Sequence, residues 1–568
     1  MMVKRIPVGI EDYRKIIDKD YYYVDKTLLV REILDAGVQV SLFTRPRRFG
    51  KTLALSMLQT FFEDERDADG NPVDNSRYFE GKAIDACKEE YRAEQGKYPV
   101  INLTLKSAKQ PDYEMAYHNL KSAIAGEFER HLYVLKGNAL MESEKLKYSA
   151  ICSRDAKEED YTTALAFLSK CLKKYHDKSV VVLLDEYDVP LENAYFAGFY
   201  DRMLTFVRSL FESVLKTNPA LEFAVITGCL RITRESIFTG LNNLRVVSVL
   251  NRNYAECFGF TPGEVRTILA HYGLEKHLAE VREWYDGYLF GNVEIYNPWS
   301  IVCCVEDNRN EEEFILQPYW ANTSSNDIIK QLVEEAGPET RAEIEKLMTG
   351  GIIEKPVHEE ITYGDIHESQ DNLWNFLFFT GYLKNVGRRF EDNETYLQLM
   401  IPNEEIRYIY KHTILSWFDR RVKAMDRKPL YQALLAGDCE MVEEALNEQL
   451  AKSISFYDAA EQFYHGFMVG MLGNLGEYRL RSNRESGDGR ADLMMVPENG
   501  QMKVLIFEFK KTEKFTQMDA LCDAALCQIE EKHYDAECKE EGYTKFVKYG
   551  ICFCRKSCRV KVVVENGE

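Results

Sequence analysis

Short hydrophobic runs alternate with amphipathic, helix-like stretches through the first half of the chain. Five of the runs are rich in β-branched residues, and several are apolar at almost every position; they are 38–44, 98–105, 179–188, 221–228 and 244–250. Continuous apolar runs of this length are typical of strands that are buried on both faces of a parallel sheet. Because helical patterns separate them, we predict an α/β domain with a parallel sheet over residues 1–260.

The pattern changes near Thr261. The sequence "TPGEV" predicts a helix start, with Thr261 as the N-cap, Pro262 in the first turn and Glu264 in the reciprocal capping position. Mainly helical patterns follow, and aromatic-rich junctions such as "WYDGYLFG" (284–291) predict a packing seam against the sheet. Helices and then strands occupy the last part. We therefore predict a helical middle region over 261–430 and a small α/β domain over 431–568.

The composition is that of a globular protein, with 45% hydrophobic and 29% charged residues in 568. No apolar stretch approaches the roughly 18 residues that a membrane span needs. The start of the chain, "MMVKRIPVGIEDY", lacks the apolar core of a signal peptide. Fourteen cysteines without regular spacing fit reduced thiols better than a disulfide framework. We expect a cytoplasmic protein that does not associate with membranes.

The net charge of -20 argues against indiscriminate coating of nucleic acid. The charge is nearly balanced after residue 460, however, and four arginines surround a polar turn there: Arg479, Arg481, Arg484 and Arg490. We expect any contact with DNA at this cluster. A solvated strand edge explains the same charges equally well.

The stretch "SLFTRPRRFGKTLALSML" (41–58) has the strand, loop and helix of a phosphate-binding loop. Gly50 lets the backbone approach the phosphates, and Lys51 can reach the outer ones. Thr52 can ligate Mg²⁺ at the start of the helix, where backbone N–H groups and the dipole favour an anion. Arg45 replaces the usual first glycine and removes its freedom to adopt positive φ, so the loop entry must be built differently.

Three points about this loop stay open from the residues alone. Pro46 is a candidate for fixing the turn at the loop entry. Arg47 or Arg48 can add charge to the phosphate cradle, or either can pair with a carboxylate. The alternative to a nucleotide site is a Gly-Lys-Thr sequence that merely starts an ordinary helix.

Two further strands end in polar groups that suit a nucleotide site. In "VVVLLDEYD" (180–188), Asp185 can hold Mg²⁺ through water and Glu186 can polarise the attacking water, whereas Asp188 is expected to be a helix cap or a surface charge. The next strand ends on Thr227, which is placed to sense the outer phosphate. Arg231 follows as a candidate for neutralising charge in the transition state. This ordered set of motifs favours ATP binding.

A second group of chemical residues lies near the C-terminus. Asp492 and Glu508 flank a predicted hairpin, and Lys510 shares a strand face with Glu508 because side chains alternate with period two. Two acids and a lysine suit a Mg²⁺-dependent phosphodiester hydrolase, in which the carboxylates hold the metal and the lysine positions or helps ionise the water. The alternative is an amphipathic strand whose Glu and Lys face solvent.

The third acid of this group has two candidates. Glu461 lies one helical turn before His465, and Glu477 is its rival. Gln528, on a downstream helix, is expected to contact the strand end or the substrate.

Several segments together carry a resemblance to a known family: "TRPRRFGKT", "LLDEYD", "TGCLRITRESIFTGLNN", "WYDGY", "FTGYL", "SNRESGDGRADL" and "FEFKK". From about residue 6 to about residue 555, the chain resembles bacterial AAA-ATPase-like proteins with a C-terminal domain of the PD-(D/E)XK nuclease superfamily. In that family the first loop position is also often arginine. Ala491 stands where the motif name has proline, a variable position.

The resemblance implies a P-loop ATPase fold and a restriction-endonuclease-like terminal domain. It implies nucleotide residues at Lys51, Thr52, Asp185 and Glu186, and nuclease positions at Asp492, Glu508 and Lys510.

From these observations we expect an ATP-binding, ATP-hydrolysing protein whose nucleotide state controls a Mg²⁺-dependent nuclease domain, with DNA as the expected nucleic acid. The main alternative is an ATP-driven conformational switch whose terminal domain only grips DNA or a protein partner. A third is a signalling switch without a substrate in that domain. The sequence leaves the oligomeric state open.

Overall fold

The computed structural model describes residues 4–230, 237–238, 243–322, 329–330, 334, 337–358, 369–392, 394–424, 427–452, 460–473, 478–482, 491–498 and 502–565. The chain forms two compact units. The first comprises Met1–Ser325 and Ile352–Ile409, and the second comprises Asn326–Gly351 and Tyr410–Glu568. The division into three domains at residues 260 and 430 stays a prediction.

The first unit is built on a five-stranded parallel sheet. Its strands are β1 (Val40–Thr44), β2 (Val100–Thr104), β3 (Val180–Asp185), β4 (Leu221–Gly228) and β5 (Leu244–Val247). They lie in the order β2-β3-β4-β1-β5. Every residue of β1 and β3 is buried, which explains their continuous apolar sequences. The predicted α/β fold with a parallel sheet is confirmed.

Helices cover this sheet, and four of them contact its strands: Lys51–Phe62, Tyr113–Arg130, Ala164–His176 and Tyr200–Leu215. The other helices of this part are Tyr13–Asp18, Leu28–Ala36, Glu89–Arg92, Glu142–Cys152, Glu158–Thr162 and Val189–Ala197. Because all five strands are parallel, their carboxyl ends meet at one edge. The polar residues at the ends of β1, β3 and β4 are therefore neighbours.

The helix predicted after residue 260 begins where its capping signals indicate. It spans Pro262–His271; the Thr261 hydroxyl accepts the N–H of Glu264, and the Glu264 carboxylate accepts the N–H of Thr261. Further helices are Leu278–Tyr285, Pro298–Asn308 and Gln370–Thr380. The predicted capping box is confirmed.

The middle region is mainly helical but also contains strands that the sequence patterns did not indicate. A hairpin joins β6 (Tyr288–Phe290) and β7 (Val293–Ile295), and a second sheet has the order β8-β10-β9. Its strands are β8 (Ile353–Pro356), β9 (Lys384–Glu391) and β10 (Glu394–Met400). Most of β9 is exposed, so it lacks the apolar alternation that marks a half-buried strand.

The second unit contains a mixed sheet of the order β11-β12-β13-β14-β15. Its strands are β11 (Tyr478–Ser482), β12 (Leu493–Pro497), β13 (Val504–Lys511), β14 (Phe546–Cys554) and β15 (Ser557–Glu565). Only β13 and β14 pair in parallel. The predicted hairpin between Asp492 and Glu508 is confirmed as the antiparallel pair β12–β13.

Helices pack on both faces of this mixed sheet. One face, with Phe507 and Tyr549, contacts residues of the helices Lys428–Ala436, Cys439–Lys452 and Ala460–Leu472. The other, with Val504 and Ile506, packs against Ile529. The helices Pro338–Met348, Met518–Glu531 and Ala536–Glu540 also belong to this unit, and the helix Glu404–Ala424 begins in the first unit and ends in the second.

All fourteen cysteines are free thiols. Within the described ranges, no helix has both the length and the apolar composition that crossing a bilayer requires.

Candidate functional site

The loop between β1 and the helix Lys51–Phe62 has the backbone of a tight anion-binding turn. Gly50 adopts a left-handed conformation with φ 79°, and Arg48 does so with φ 70°. No atom of the described residues lies within 4 Å of where a Cβ on Gly50 would be, so its conformation rather than space favours glycine here. The loop therefore delivers its last residue directly into the N-terminus of a helix, where anions are stabilised.

Arg45, at the position of the missing first glycine, points away from the loop into the core. Its guanidinium is fully buried and donates to the carbonyls of Thr44 and Val247, both at 2.9 Å. The rings of Phe258 and Phe290 lie 5.4 and 5.0 Å from it. Burial lowers the pKa of Arg45 to about 10. Arg45 thus anchors the loop entry to β5, a role that no signal in the sequence indicated.

Lys51 is the first residue of the helix, and its side chain turns back into the loop. Its ammonium donates to the carbonyls of Arg45 and Pro46, both at 2.9 Å, and lies 3.6 Å from the sulfur of Cys229. The residue is only 6% exposed, and it forms no ion pair with any residue that the structure describes. The carboxylates of Glu186 and Asp188 act on Lys51 only from beyond ion-pair distance. A buried cation without a contacting anion is costly unless a ligand supplies one. This environment fits the outer phosphates of a nucleotide.

Asp185 at the end of β3 lies between two hydroxyl groups. Thr52 donates to its Oδ2 at 2.7 Å, and Thr227 donates to its Oδ1 at 2.5 Å. Strand β4 brings Thr227 to this position because it lies between β1 and β3. A buried carboxylate beside a threonine hydroxyl at a helix start fits Mg²⁺, which prefers a few protein oxygens and retained waters.

Glu186 follows Asp185 in a left-handed conformation with φ 52°, which is unusual for a residue with a side chain. Burial, and then the charge of Asp185, raises the pKa of the half-buried Glu186. Strained backbone and a raised carboxyl pKa are both typical of functional sites. The role of Glu186 as the base stays a prediction, as does phosphate sensing by Thr227.

The arginines of the loop contact other side chains. Arg47 forms an ion pair with Glu192, and the guanidinium of Arg48 lies 4.8 Å from the centre of the Trp299 ring. Of the two roles that the sequence left open for Arg47, the structure shows the pairing with a carboxylate. Arg231 lies outside the described residues.

Asp188 is not a surface charge. It is 2% exposed, and its Oδ2 accepts the backbone N–H groups of Cys229 at 2.7 Å and Leu230 at 3.1 Å. It stands at the N-cap of the helix Val189–Ala197 but makes no capping bond. Its carboxylate instead holds the segment that follows β4, which only the tertiary structure brings near.

A cleft of about 470 Å³ opens beside Thr52 and Asp185. The N-terminal segment forms part of its wall through Gly9, Ile10, Glu11, Asp12 and Lys15. Sequence reasoning missed this segment because it carries no motif.

The second unit brings together the acids and the lysine that the sequence selected. The pairing of Leu493 with Phe507 places Asp492 opposite Glu508, on one face. Asp492 Oδ2 accepts the N–H of Phe509 at 2.8 Å, and Glu508 Oε1 accepts Lys510 Nζ at 3.0 Å.

The other carboxylate oxygen of Glu508, Oε2, is buried without a hydrogen-bond partner among the described residues. Burial, and then the negative charge of Asp492, raises the pKa of Glu508. An unpartnered buried oxygen next to a second carboxylate fits a divalent cation, because the cation would supply both the missing contact and the missing charge.

Lys510 is held from its other side by the helix Met518–Glu531. Its ammonium donates to Gln528 Oε1 at 2.6 Å, and Gln528 Nε2 donates to the hydroxyl of Tyr534 at 2.9 Å. Gln528 therefore contacts the lysine at the strand end. Tyr534 was missed, since its position six residues after Gln528 carries no signal by itself.

The third acid is not determined. Glu461 belongs to the helix Ala460–Leu472, whose His465 lies with Nε2 3.3 Å from the carbonyl of Asp492, but the side chain of Glu461 is outside the description. Glu477 lies outside the described residues, as do Arg484 and Arg490.

The other two arginines of the cluster are described. Arg479 is exposed on β11, and Arg481 forms ion pairs with Glu537 and Glu541.

Comparison with known proteins gives matches over the two parts of the chain that contain these residues. Residues 7–238 match the family described as predicted AAA-ATPase, and residues 459–563 match the PD-(D/E)XK nuclease superfamily. The chain is also similar to a protein of Azotobacter chroococcum mcd 1 that is described as an uncharacterized protein in the vnfD 5′ region. The two are 27% identical, and the match covers 95% of each chain. The chain therefore combines a region similar to predicted AAA-ATPases with a C-terminal region similar to the PD-(D/E)XK nuclease superfamily.

Proposed function

We propose that this protein binds and hydrolyses ATP, and that its nucleotide state controls a Mg²⁺-dependent nuclease site that acts on nucleic acid, with DNA the expected substrate. The observation that carries the first half is Lys51, a buried ammonium without an ion pair among the described residues. The one that carries the second half is the unpartnered Glu508 Oε2 beside Asp492.

At the first site each residue has a separate role in binding phosphate, holding the metal or activating water. The loop backbone at Gly50 and the ammonium of Lys51 bind the outer phosphates, while Thr52 and Asp185 would hold Mg²⁺, whose charge neutralises the phosphate oxygens. Glu186 orients the attacking water and accepts its proton, which its raised pKa favours. Arg48 and Arg231 remain candidates for further phosphate contacts, and Arg47 would have to leave Glu192 to make one.

At the second site, Asp492 and Glu508 would hold Mg²⁺, which supplies a Lewis acid for the scissile phosphate. Glu461 or Glu477 completes the acid set. Lys510, held between Glu508 and Gln528, positions a water against the phosphate and stabilises the negative charge that develops. Arg479, which is exposed on β11 opposite Val496, is a candidate contact for the nucleic-acid backbone.

A cleavage assay with two neighbouring lysines tests the nuclease assignment. We expect Lys510→Ala to abolish cleavage of single- or double-stranded DNA or RNA in Mg²⁺, and to leave ATP binding unchanged. Lys511→Ala is the matched control, because Lys511 is exposed and adjacent. Cleavage that survives Lys510→Ala would place the activity elsewhere.

A binding assay tests the nucleotide assignment separately. We expect Lys51→Ala to lower ATP affinity by at least about tenfold, because a phosphate contact of this kind is a charge-assisted hydrogen bond. Isothermal titration calorimetry measures it, and equal affinity of variant and wild type would refute the site.

The alternative is a nucleotide-driven switch whose terminal domain binds DNA or a protein without cutting it. The net charge of -20 favours the form of this alternative in which the partner is a protein, because an acidic surface repels nucleic acid. ATP-dependent binding without cleavage of any tested nucleic acid would support it. We also propose a cytoplasmic location, which the fourteen free thiols support.

A further inference from the structure

The last strand of the second unit, β15, is an open edge of the mixed sheet. Among the strands that the structure describes, it pairs with β14 alone, at the end of the strand order. Its sequence from residue 559 is "RVKVVVE", and Val563 and Val564 are 42% and 38% exposed. An exposed apolar edge is a ready template for pairing with another strand, and proteins usually protect it.

The helix Cys439–Lys452 bonds the outward backbone groups of only the first part of this edge, and Gly437, just before the helix, packs against the side chains of Val562 and Val564. Asn447 accepts the N–H of Cys558 at 2.7 Å and donates to its carbonyl at 3.1 Å, and Glu443 accepts the N–H of Val560 at 2.9 Å. These bonds show that the even-numbered residues direct their backbone groups away from β14. No hydrogen bond from the described part of the chain reaches the outward groups of Val562 and Val564, the next two in this series.

We propose that β15 pairs antiparallel with β15 of a second copy of this chain, about a two-fold axis through Val563. In this register Val562 lies opposite Val564 of the second copy. Both residues direct their backbone groups outward, so each such pair exchanges two N–H···O=C bonds. The two symmetric pairs complete four hydrogen bonds and join the two sheets into one.

The side chains agree with the same register. It places Lys561 opposite Glu565 of the second copy twice, on the strand face that also carries Val563. Lys561 already binds Asp523, and Glu565 binds Lys548, so each charge keeps its present partner and gains one of opposite sign across the axis.

Neighbouring registers are less favourable. An axis through Val562 would need the outward N–H of Val560, which Glu443 already occupies. An axis through Val564 would put Glu565 opposite Val563 and leave Lys561 without its opposite charge. Charge complementarity and the helix that covers the start of β15 therefore select the axis at Val563, and they favour a second copy as the occupant.

The mass of the full-length protein in solution tests the proposal. We expect sedimentation equilibrium to show a concentration-dependent dimer of the wild type. Val563→Lys should raise its dissociation constant by about tenfold or more, because like charges then lie directly opposite each other. Val73→Lys is the matched control, since Val73 is equally exposed at 40% in the first unit, and its dimer should persist.

A cross-link keeps the test independent of any folding defect in the lysine variant. At a non-hydrogen-bonded antiparallel pair the Cα atoms are about 4.5 Å apart, within the range for a disulfide. Cys527 is an exposed thiol, so the test uses a Cys527→Ser background. In this background Val563→Cys should form a covalent dimer with oxidised glutathione, whereas the parent protein and Val73→Cys should not. A wild type that stays monomeric would overturn the proposal. So would a dimer whose dissociation constant is unchanged by Val563→Lys, if Val563→Cys also fails to cross-link.

Discussion

Replacing Glu508 with glutamine should stabilise the second unit when divalent metal is absent. The Oε2 atom of Glu508 is buried without a partner among the described residues, and the negative charge of Asp492 acts on it. A buried acceptor left without a partner costs about 1–3 kcal/mol. The glutamine oxygen can still accept the ammonium of Lys510, and the neutral amide removes the negative charge that burial and Asp492 disfavour. We expect a gain of about 1–2 kcal/mol in the free energy of unfolding.

Added Mg²⁺ should stabilise the wild type more than the Glu508→Gln variant. A ligand that binds only the folded state stabilises it by RT ln(1 + [L]/Kd), which is about 1.4 kcal/mol at ten times Kd. The wild type should gain this amount as Mg²⁺ is added. Glu508→Gln should gain little, because one of the two carboxylates is lost, so the advantage of the variant should shrink or vanish.

Differential scanning calorimetry in EDTA and across a Mg²⁺ titration measures both effects. Glu513→Gln is the matched control, because it removes an exposed acid five residues away and should behave as the wild type. The phosphate-binding loop is unchanged in all three proteins, so the difference reports on the second site. A variant that is less stable than the wild type in EDTA, or equal stabilisation of both by Mg²⁺, would refute the reasoning.

Three other outcomes are expected. Glu186→Gln should bind ATP normally but lose about 10²–10⁴-fold in phosphate release, the usual value of general-base help; unchanged release would make Glu186 structural. Thr227→Val should lower the stability of the first unit by about 1 kcal/mol in denaturant titrations, because Asp185 loses a donor, and no change would mean that water replaces the hydroxyl. Glu405 is buried and accepts hydrogen bonds from the hydroxyl of Ser300 and the backbone N–H of Trp320, at 2.8 Å each. Burial raises the pKa of Glu405 to about 7. The folded state therefore binds this proton more tightly than the unfolded state, so stability should fall by up to about 3 kcal/mol as pH rises from about 4.5 to 7. Glu405→Gln should lack this dependence in melts across that range, and identical pH profiles would contradict the burial argument.

Local sequence patterns alone determine several strands, one helix start and part of one candidate site. A strand buried on both faces must be apolar throughout, so β1 and β3 were visible as runs. The capping box at Thr261 is a local hydrogen-bond motif, and its residues predict it without any tertiary contact. Period two alone places Glu508 and Lys510 on one strand face.

The tertiary structure decided what depends on residues far apart in the chain. The order β2-β3-β4-β1-β5 places Thr227 against Asp185, and no local period encodes which strands become neighbours. Arg45 lies in the core, and Asp188 holds the segment after β4, because packing offers each polar group partners that are distant in sequence. The outward backbone groups of Val562 and Val564 are likewise left open because the hydrogen bonds from the helix Cys439–Lys452 to β15 end at Val560. Propensity and periodicity describe single elements, whereas these contacts arise from the burial and hydrogen-bond demands of the whole fold.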